Sequence, residues 1–370
     1  MKYYATCKLG LEALVARQLR DLDLAVIKTE DARVAFSANE ADLARALLWL
    51  RTAERVLLVV GEFEAETFDE LFEQTKALNW KRYLRPDTNI HVTGKSAKSA
   101  LFSVSDCQRI VKKAIVESLK SAYRRTDIPE GGAEIIVEVG LLRNNASLCL
   151  DCCGAGLSRR GYRTYNVAAP LSETIGAAIV LLSQFKPDIP LVDPMCGSGT
   201  MPIEAAMIAQ NVAPGLKRSF AAESWWFSDR DIWLGAREEA AAARTSRPFS
   251  ILGSDRDARC IELCKAHAKK AGVACNWRVR ELNDFSVSGP NGIIVCNPPY
   301  GERLMNREEA RALYRRMRSV FEQTPGWSVN VISGMRDFES AYGRRADKRR
   351  NLTSGGMPCT LYQYFGERDV

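Results

Sequence analysis

Leu191-Val192-Asp193-Pro194-Met195-Cys196-Gly197-Ser198-Gly199-Thr200-Met201-Pro202-Ile203-Glu204 reads as a short strand, an acidic residue, a glycine turn and then a helix. That order suits a ligand-binding turn. Gly197 and Gly199 let backbone approach a ligand closely, and a helix opening near Thr200 offers free N–H groups at its start. A short Gly-x-Gly is equally an ordinary structural turn, so its surroundings decide. From Leu191 onward, β-rich runs at 191–193, 250–254, 292–296 and 327–333 alternate with amphipathic helices at 201–210, 258–271 and 308–321. Such alternation predicts a doubly wound α/β sheet, and the wholly apolar Ile293-Ile294-Val295 suits a strand covered on both faces.

Further candidates follow in the same order along the chain. Gly253-Ser254-Asp255-Arg256-Asp257 ends the next strand, with Asp255 placed to accept two hydrogen bonds from a ribose diol and Asp257 to cap the helix. Glu281-Leu282-Asn283-Asp284-Phe285 is by itself an ordinary turn, but it offers Asp284 to an adenine amino group. Val295-Cys296-Asn297-Pro298-Pro299-Tyr300-Gly301-Glu302-Arg303 is more specific: two prolines after a buried strand fix the backbone and remove donors, leaving carbonyls to accept. The Asn297 side-chain oxygen and the Pro298 carbonyl can each take one hydrogen of an amino group on a planar ring. The Tyr300 ring can stack on that heterocycle. A merely proline-stiffened loop is the plainer alternative, and the three pieces preceding it in matching order weigh against that.

The rest of the chain sets bounds. Its 370 residues are 46% hydrophobic and 26% charged, which excludes wholesale disorder, collagen and coiled coil and suggests two or three domains. The formal charge of +7 is compatible with a polyanionic partner without establishing one, and the halves share it: 25 Lys plus Arg against 22 Asp plus Glu up to residue 165, then 27 against 23. The 11 cysteines include the adjacent Cys152 and Cys153, and the start lacks an apolar leader, so a reducing cytoplasmic setting with buried thiols is expected. The two histidines, His91 and His267, stand away from cysteine clusters, and no metal is expected. No apolar run reaches the roughly 18 residues needed to cross a membrane, the nearest being 175–182.

In front of the α/β part, strand-like and helix-like patterns alternate in the order β-α-β-α-β within residues 1–60, which suggests a ferredoxin-like α+β unit. Residues 61–156 repeat the mixture, with helices at 68–78 and 104–119 and strands at 89–93, 135–139 and 146–151. The basic and aromatic stretch 157–165, hinged at Gly161, then reads as a linker to a domain over 166–370.

The 193–200 and 297–303 motifs together resemble the S-adenosylmethionine-dependent RNA methyltransferases that carry a THUMP domain, and within them the large-subunit ribosomal RNA guanine-N2 branch. Gly10-Leu11-Glu12, Ala65-Glu66-Thr67, Arg160-Gly161-Tyr162-Arg163 and Asp347-Lys348-Arg349-Arg350 also read like that branch, so the resemblance covers nearly the whole chain. It implies a ferredoxin-like plus THUMP module for RNA ahead of a Rossmann-like class I methyltransferase domain. Asp193, Gly197, Gly199, Thr200, Asp255 and Asp284 would contact the cofactor, and Asn297, Pro298 and Tyr300 the target base. The expected partner is RNA, 23S ribosomal RNA in this branch, with methyl transfer to a guanine N2. Two departures stand out: relatives often carry a second fused methyltransferase domain, so one modification is expected here, and Arg256 replaces a more usual hydrophobic or small residue.

Two rivals remain. A tRNA guanine-N2 methyltransferase shares the THUMP module and the catalytic motif, whereas a non-catalytic RNA-binding or ribosome assembly factor would need neither the intact glycine turn nor Asn297 to Tyr300. Arg109, Lys112 and Lys113 on a helix, and Arg344 to Arg350, are the basic runs available to phosphates, with a solvated helix face and a surface loop as their plain readings. Trp225-Trp226-Phe227 reads as a core plug ahead of a stacking lid.

Overall fold

The computed structural model describes residues 1–163, 171–287, 289–299 and 306–366. The chain opens with β1 (Lys2–Cys7), α1 (Glu12–Asp21), β2 (Ala25–Glu30), β3 (Arg33–Ser37), α2 (Glu40–Trp49) and β4 (Ala53–Glu64). Local chemistry sets the helix starts: Asn39 caps α2 by accepting from the Asp42 amide while the Asp42 carboxylate accepts from the Asn39 amide. The β-α-β-α-β expectation missed β2. None of its residues is buried and it pairs only with β3 at the sheet edge, so hydrophobic periodicity carries no trace of it.

There follow α3 (Phe68–Ala77), β5 (Asn89–Ala97), α4 (Val104–Tyr123), β6 (Glu134–Leu142) and β7 (Asn145–Asp151), as the periodicity indicates. The 12-residue β4 pairs with β1 on one side and β7 on the other, so both units share one seven-stranded sheet ordered β2-β3-β1-β4-β7-β6-β5.

The remainder comprises α5 (Glu173–Leu182), β8 (Leu191–Asp193), α6 (Thr200–Ala209), α7 (Arg230–Ala242), β9 (Ile251–Asp255), α8 (Ala258–Ala271), β10 (Asn276–Val279), β11 (Gly292–Cys296), α9 (Arg307–Phe321), β12 (Trp327–Ser333), α10 (Phe338–Tyr342), β13 (Lys348–Ser354) and β14 (Met357–Tyr364). Its sheet runs β10-β9-β8-β11-β12-β14-β13, parallel from β10 to β12 and closed by antiparallel β14 and β13. This is the doubly wound, Rossmann-like sheet expected, with a terminal hairpin that was not. Strand order reverses at β8, which opens a crevice beyond its carboxyl end.

One apolar core runs through both halves and includes Leu11, Leu47, Ile175 and Ile203. Trp225 is buried and Phe227 meets the Tyr83 ring edge-on at 5.8 Å, so these two plug the junction, whereas Trp226, whose indole donates to the Tyr83 carbonyl at 3.0 Å, is 45% exposed and falls outside the plug. Gly10 has φ +89°, and any Cβ there would collide with the Asn351 carbonyl, so glycine lets the α1 entry lie against β13. Cys149 and Cys152 have the two-residue spacing of redox motifs. Both are buried, and burial pushes their thiols up, which suits inert packing.

Candidate active site

β8 delivers Asp193 to the crevice almost fully buried. Its Oδ1 accepts from the Met195 amide at 3.1 Å, but its buried Oδ2 has no partner. Burial holds this carboxyl well above the usual carboxylate range; the Met195 amide opposes that and the Asp255 charge adds to it. A buried acid with a vacant oxygen at a crevice mouth calls for a donor from outside the chain.

The glycine turn follows. Gly197 (φ +53°) has open space where a Cβ would project, whereas a Cβ on Gly199 (φ +83°) would lie 2.9 Å from Cys264 Sγ and the Trp277 ring. Gly197 thus leaves room for a ligand, and Gly199 packs the turn onto α8. The Gly197 amide donates to Asp255 Oδ2 at 2.9 Å and the Asp257 amide to Asp255 Oδ1 at 3.0 Å. Asp255 therefore braces the turn while each oxygen keeps a lone pair for a diol. Asp257 caps α8 through the Arg259 amide at 2.9 Å.

Thr200 opens α6, but its hydroxyl accepts from the Arg163 guanidinium at 2.8 Å. Arg163 also donates to the Leu171 carbonyl at 2.7 Å and lies 3.6 Å from Glu173. What Thr200 has left for a ligand is the first helical amide. Asp284 lies in a short helical turn after β10 and is exposed, while Phe285 packs edge-on against Phe321 at 5.5 Å. The acid faces solvent and the ring belongs to the core.

Asn297 directly follows the fully buried β11, and its buried Oδ1 has no partner among the described residues. Pro298 is buried beside it, and Tyr300 lies outside the described residues. Two oxygens without a partner among the described residues, on Asp193 at the end of β8 and on Asn297 just after β11, thus stand at the ends of adjacent parallel strands.

Sequence reasoning missed three supports of this site. His267 on α8 lies with Nδ1 3.1 Å from the Ser198 carbonyl in the glycine turn, and burial draws its pKa down against that bond. Arg160 and Tyr162 reach Glu204 on α6 at 3.4 and 3.2 Å. The visible signal was Glu204 itself, a charge inside an otherwise apolar helix. The basic runs are partly neutralised: Arg109 pairs with Asp106, Lys112 with Glu130, and Arg349 with Glu339. Lys348 to Arg350 lie on β13, so the loop reading fails there; charge there protects a sheet edge.

Comparison with known proteins fits this geometry. Residues 160–363 match the family described as RMKL-like, methyltransferase domain; residues 2–57 match the RlmL ferredoxin-like domain and 65–151 the THUMP domain. This chain is an RMKL-like methyltransferase. It is 44% identical to the putative RNA methyltransferase YpsC of Bacillus subtilis, over 99% of this chain and 97% of that one. It is 34% identical to the ribosomal RNA large subunit methyltransferase K/L of Photobacterium profundum, over 98% of this chain but 53% of that protein's length. The solved structure of SMU.472, a putative methyltransferase complexed with SAH, superposes with a TM-score of 0.93 at 40% identity, covering 100% of this chain and 99% of that one. The methyl donor of this RMKL-like enzyme is S-adenosylmethionine, and the residues present fit it: the open space at Gly197, the accepting Asp255 and the unpartnered Asp193 oxygen line one crevice. Among the described residues no group of side chains is placed to hold a metal ion, and no helix is long and apolar enough to cross a membrane.

Proposed function

We propose that this enzyme methylates the exocyclic N2 of a guanine in RNA, with 23S ribosomal RNA as the substrate. The observation that carries the reading is the buried Oδ1 of Asn297 at the end of β11, which has no partner among the described residues. An acceptor held there suits an amino group, and its neighbour Pro298 adds a carbonyl without adding a competing donor. Bound in the crevice, S-adenosylmethionine supplies an electrophilic methyl group. The chain's share is orientation and electrostatics: Asn297 and Pro298 hold the amino hydrogens and favour the positive charge that grows on nitrogen. No strong general base is required, because the amino group becomes acidic as it is alkylated. Asp193, Gly197, Gly199, Thr200, Asp255 and Asp284 line the donor side, and Tyr300 stacks on the base.

Residues 1–60 form the ferredoxin-like domain, 61–156 the THUMP domain, 157–165 the linker and 166–370 the methyltransferase domain; the first two supply RNA affinity, and the enzyme works in the cytoplasm. Nucleoside mass spectrometry of ribosomal and transfer RNA from a strain lacking the protein tests the reading. Loss of N2-methylguanosine from 23S RNA is expected. Loss confined to tRNA would redirect the substrate, and unchanged RNA would contradict the function.

A further inference from the structure

We infer that the cleft between β1, the start of β4 and the turn at 154–159 is a phosphate subsite for the substrate RNA, separate from the methyl-transfer crevice. This rests on the reading of the substrate as RNA. The cleft has a volume of about 540 Å³ and draws Lys8 from the end of β1, Arg55 from β4 and Arg159 from the linker, with the hydroxyls of Thr6 and Ser158 among them.

Its charges do not balance. Arg55 is held by Asp151 and donates to the Gly154 carbonyl at 2.9 Å. Lys8 lies 3.8 Å from Glu54, whose other oxygen accepts from the Thr174 hydroxyl at 2.6 Å. Arg159 is exposed and has no acidic partner among the described residues. Behind the turn, Arg218 spends its guanidinium on carbonyls, Gly156 at 2.6 Å and Cys153 at 3.2 Å, and meets no carboxylate among the described residues. Arg160, buried beneath the turn, donates to the Leu157 carbonyl at 2.6 Å and pairs with Glu204. Lys8, Arg55 and Arg159 thus line the cleft, with Arg218 behind the turn, against Glu54 within it and Asp151 on Arg55. Burial lowers the Arg218 pKa, with Arg160 and Arg55 adding to the effect and Cys153 and Asp151 opposing it.

Nothing in the described chain neutralises this excess, and a phosphodiester is an anion of suitable size that hydroxyls and guanidinium groups bind together. Position favours RNA over a free anion. Glu54 bonds Thr174 at the start of α5, and a Cβ on Gly176 of that helix would lie 2.8 Å from Thr200, the first residue after the glycine turn. A strand held in the cleft therefore passes beside the methyl-transfer crevice.

The test compares the parent with the Lys8→Gln/Arg159→Gln double variant, and with Arg259→Gln, a 91% exposed arginine on α8, as the control. The probes are total RNA from a strain lacking the protein, inorganic phosphate and pyrophosphate. The double variant should bind RNA more weakly, with a log–log salt slope shallower by roughly 0.7–0.9 per lost contact. Its KM for RNA should rise while kcat and S-adenosylmethionine affinity stay at parental values. RNA affinity and slope equal to those of the control would overturn the subsite. So would RNA binding that survives the double substitution while pyrophosphate binding is lost, which would make the cleft a small-anion site. The two readings fail separately: a parent that methylates no RNA sinks the proposed function, whereas the salt slope of direct RNA binding still decides the cleft.

Discussion

Arg160 and Glu204 of α6 form an ion pair at 3.4 Å with both side chains sealed from water. The Tyr162 hydroxyl donates to the same oxygen at 3.2 Å, and Arg160 also donates to the Arg51 carbonyl of the front half. Arg160 and Tyr162 therefore staple the front half of the chain to the helix following the glycine turn. Glu204→Ala would leave Arg160 buried and unpaired, at an expected cost of about 3–5 kcal/mol. Denaturant unfolding measures this, and a loss below about 1 kcal/mol would mean that the pair is not what holds the junction.

The two turn glycines should separate binding from stability. Gly197→Ala places a Cβ in open space, so cofactor affinity should fall at least tenfold with only the backbone cost of a positive φ, about 1–2 kcal/mol. Gly199→Ala adds collision with Cys264 and Trp277, so it should destabilise more. Calorimetric binding and thermal unfolding of both variants test the distinction, and equal behaviour would remove it.

Asp193 should make the ligand-free enzyme less stable as pH rises. Burial raises its folded pKa above the unfolded value of 3.8, so the folded chain keeps a proton that the unfolded chain loses. Stability is then fully present below about pH 4 and declines through the window above it. Asp193→Asn lacks this term. Its thermal midpoint should exceed the parent's by a margin that widens from pH 4 to 7, while cofactor binding weakens; a constant margin would show that the carboxyl ionises freely.

Asn297→Ala should lower single-turnover methyl transfer by two to three orders of magnitude, about 3–4 kcal/mol, with cofactor binding retained. The acceptor matters most as charge develops on the amino nitrogen, so RNA affinity should change little. Transfer at the parental rate would make the Asn297–Pro298 turn structural.

The strand–turn–helix order of the second half was legible because its strands are apolar throughout and its helices amphipathic, and because Gly197, Asp255 and Asn297 recur at strand ends. Strands that bury little were not: β2 has no buried residue, and β13 begins with three consecutive cations. Pairings distant in sequence also left no local trace. Arg160 reads as a solvated hinge residue until Glu204, 44 positions later, is seen against it. The Thr200 hydroxyl serves Arg163, which leaves its amide for a ligand, and Phe285 beside Asp284 is core packing, two partnerships that no local pattern announces.

The most direct test of the central claim is to supply methyl-labelled S-adenosylmethionine and RNA from a strain lacking the protein, then digest the RNA and separate its nucleosides. The account predicts label in N2-methylguanosine, abolished by Asn297→Ala. Label in N6-methyladenosine, or none in RNA from a folded, cofactor-binding enzyme, would contradict it.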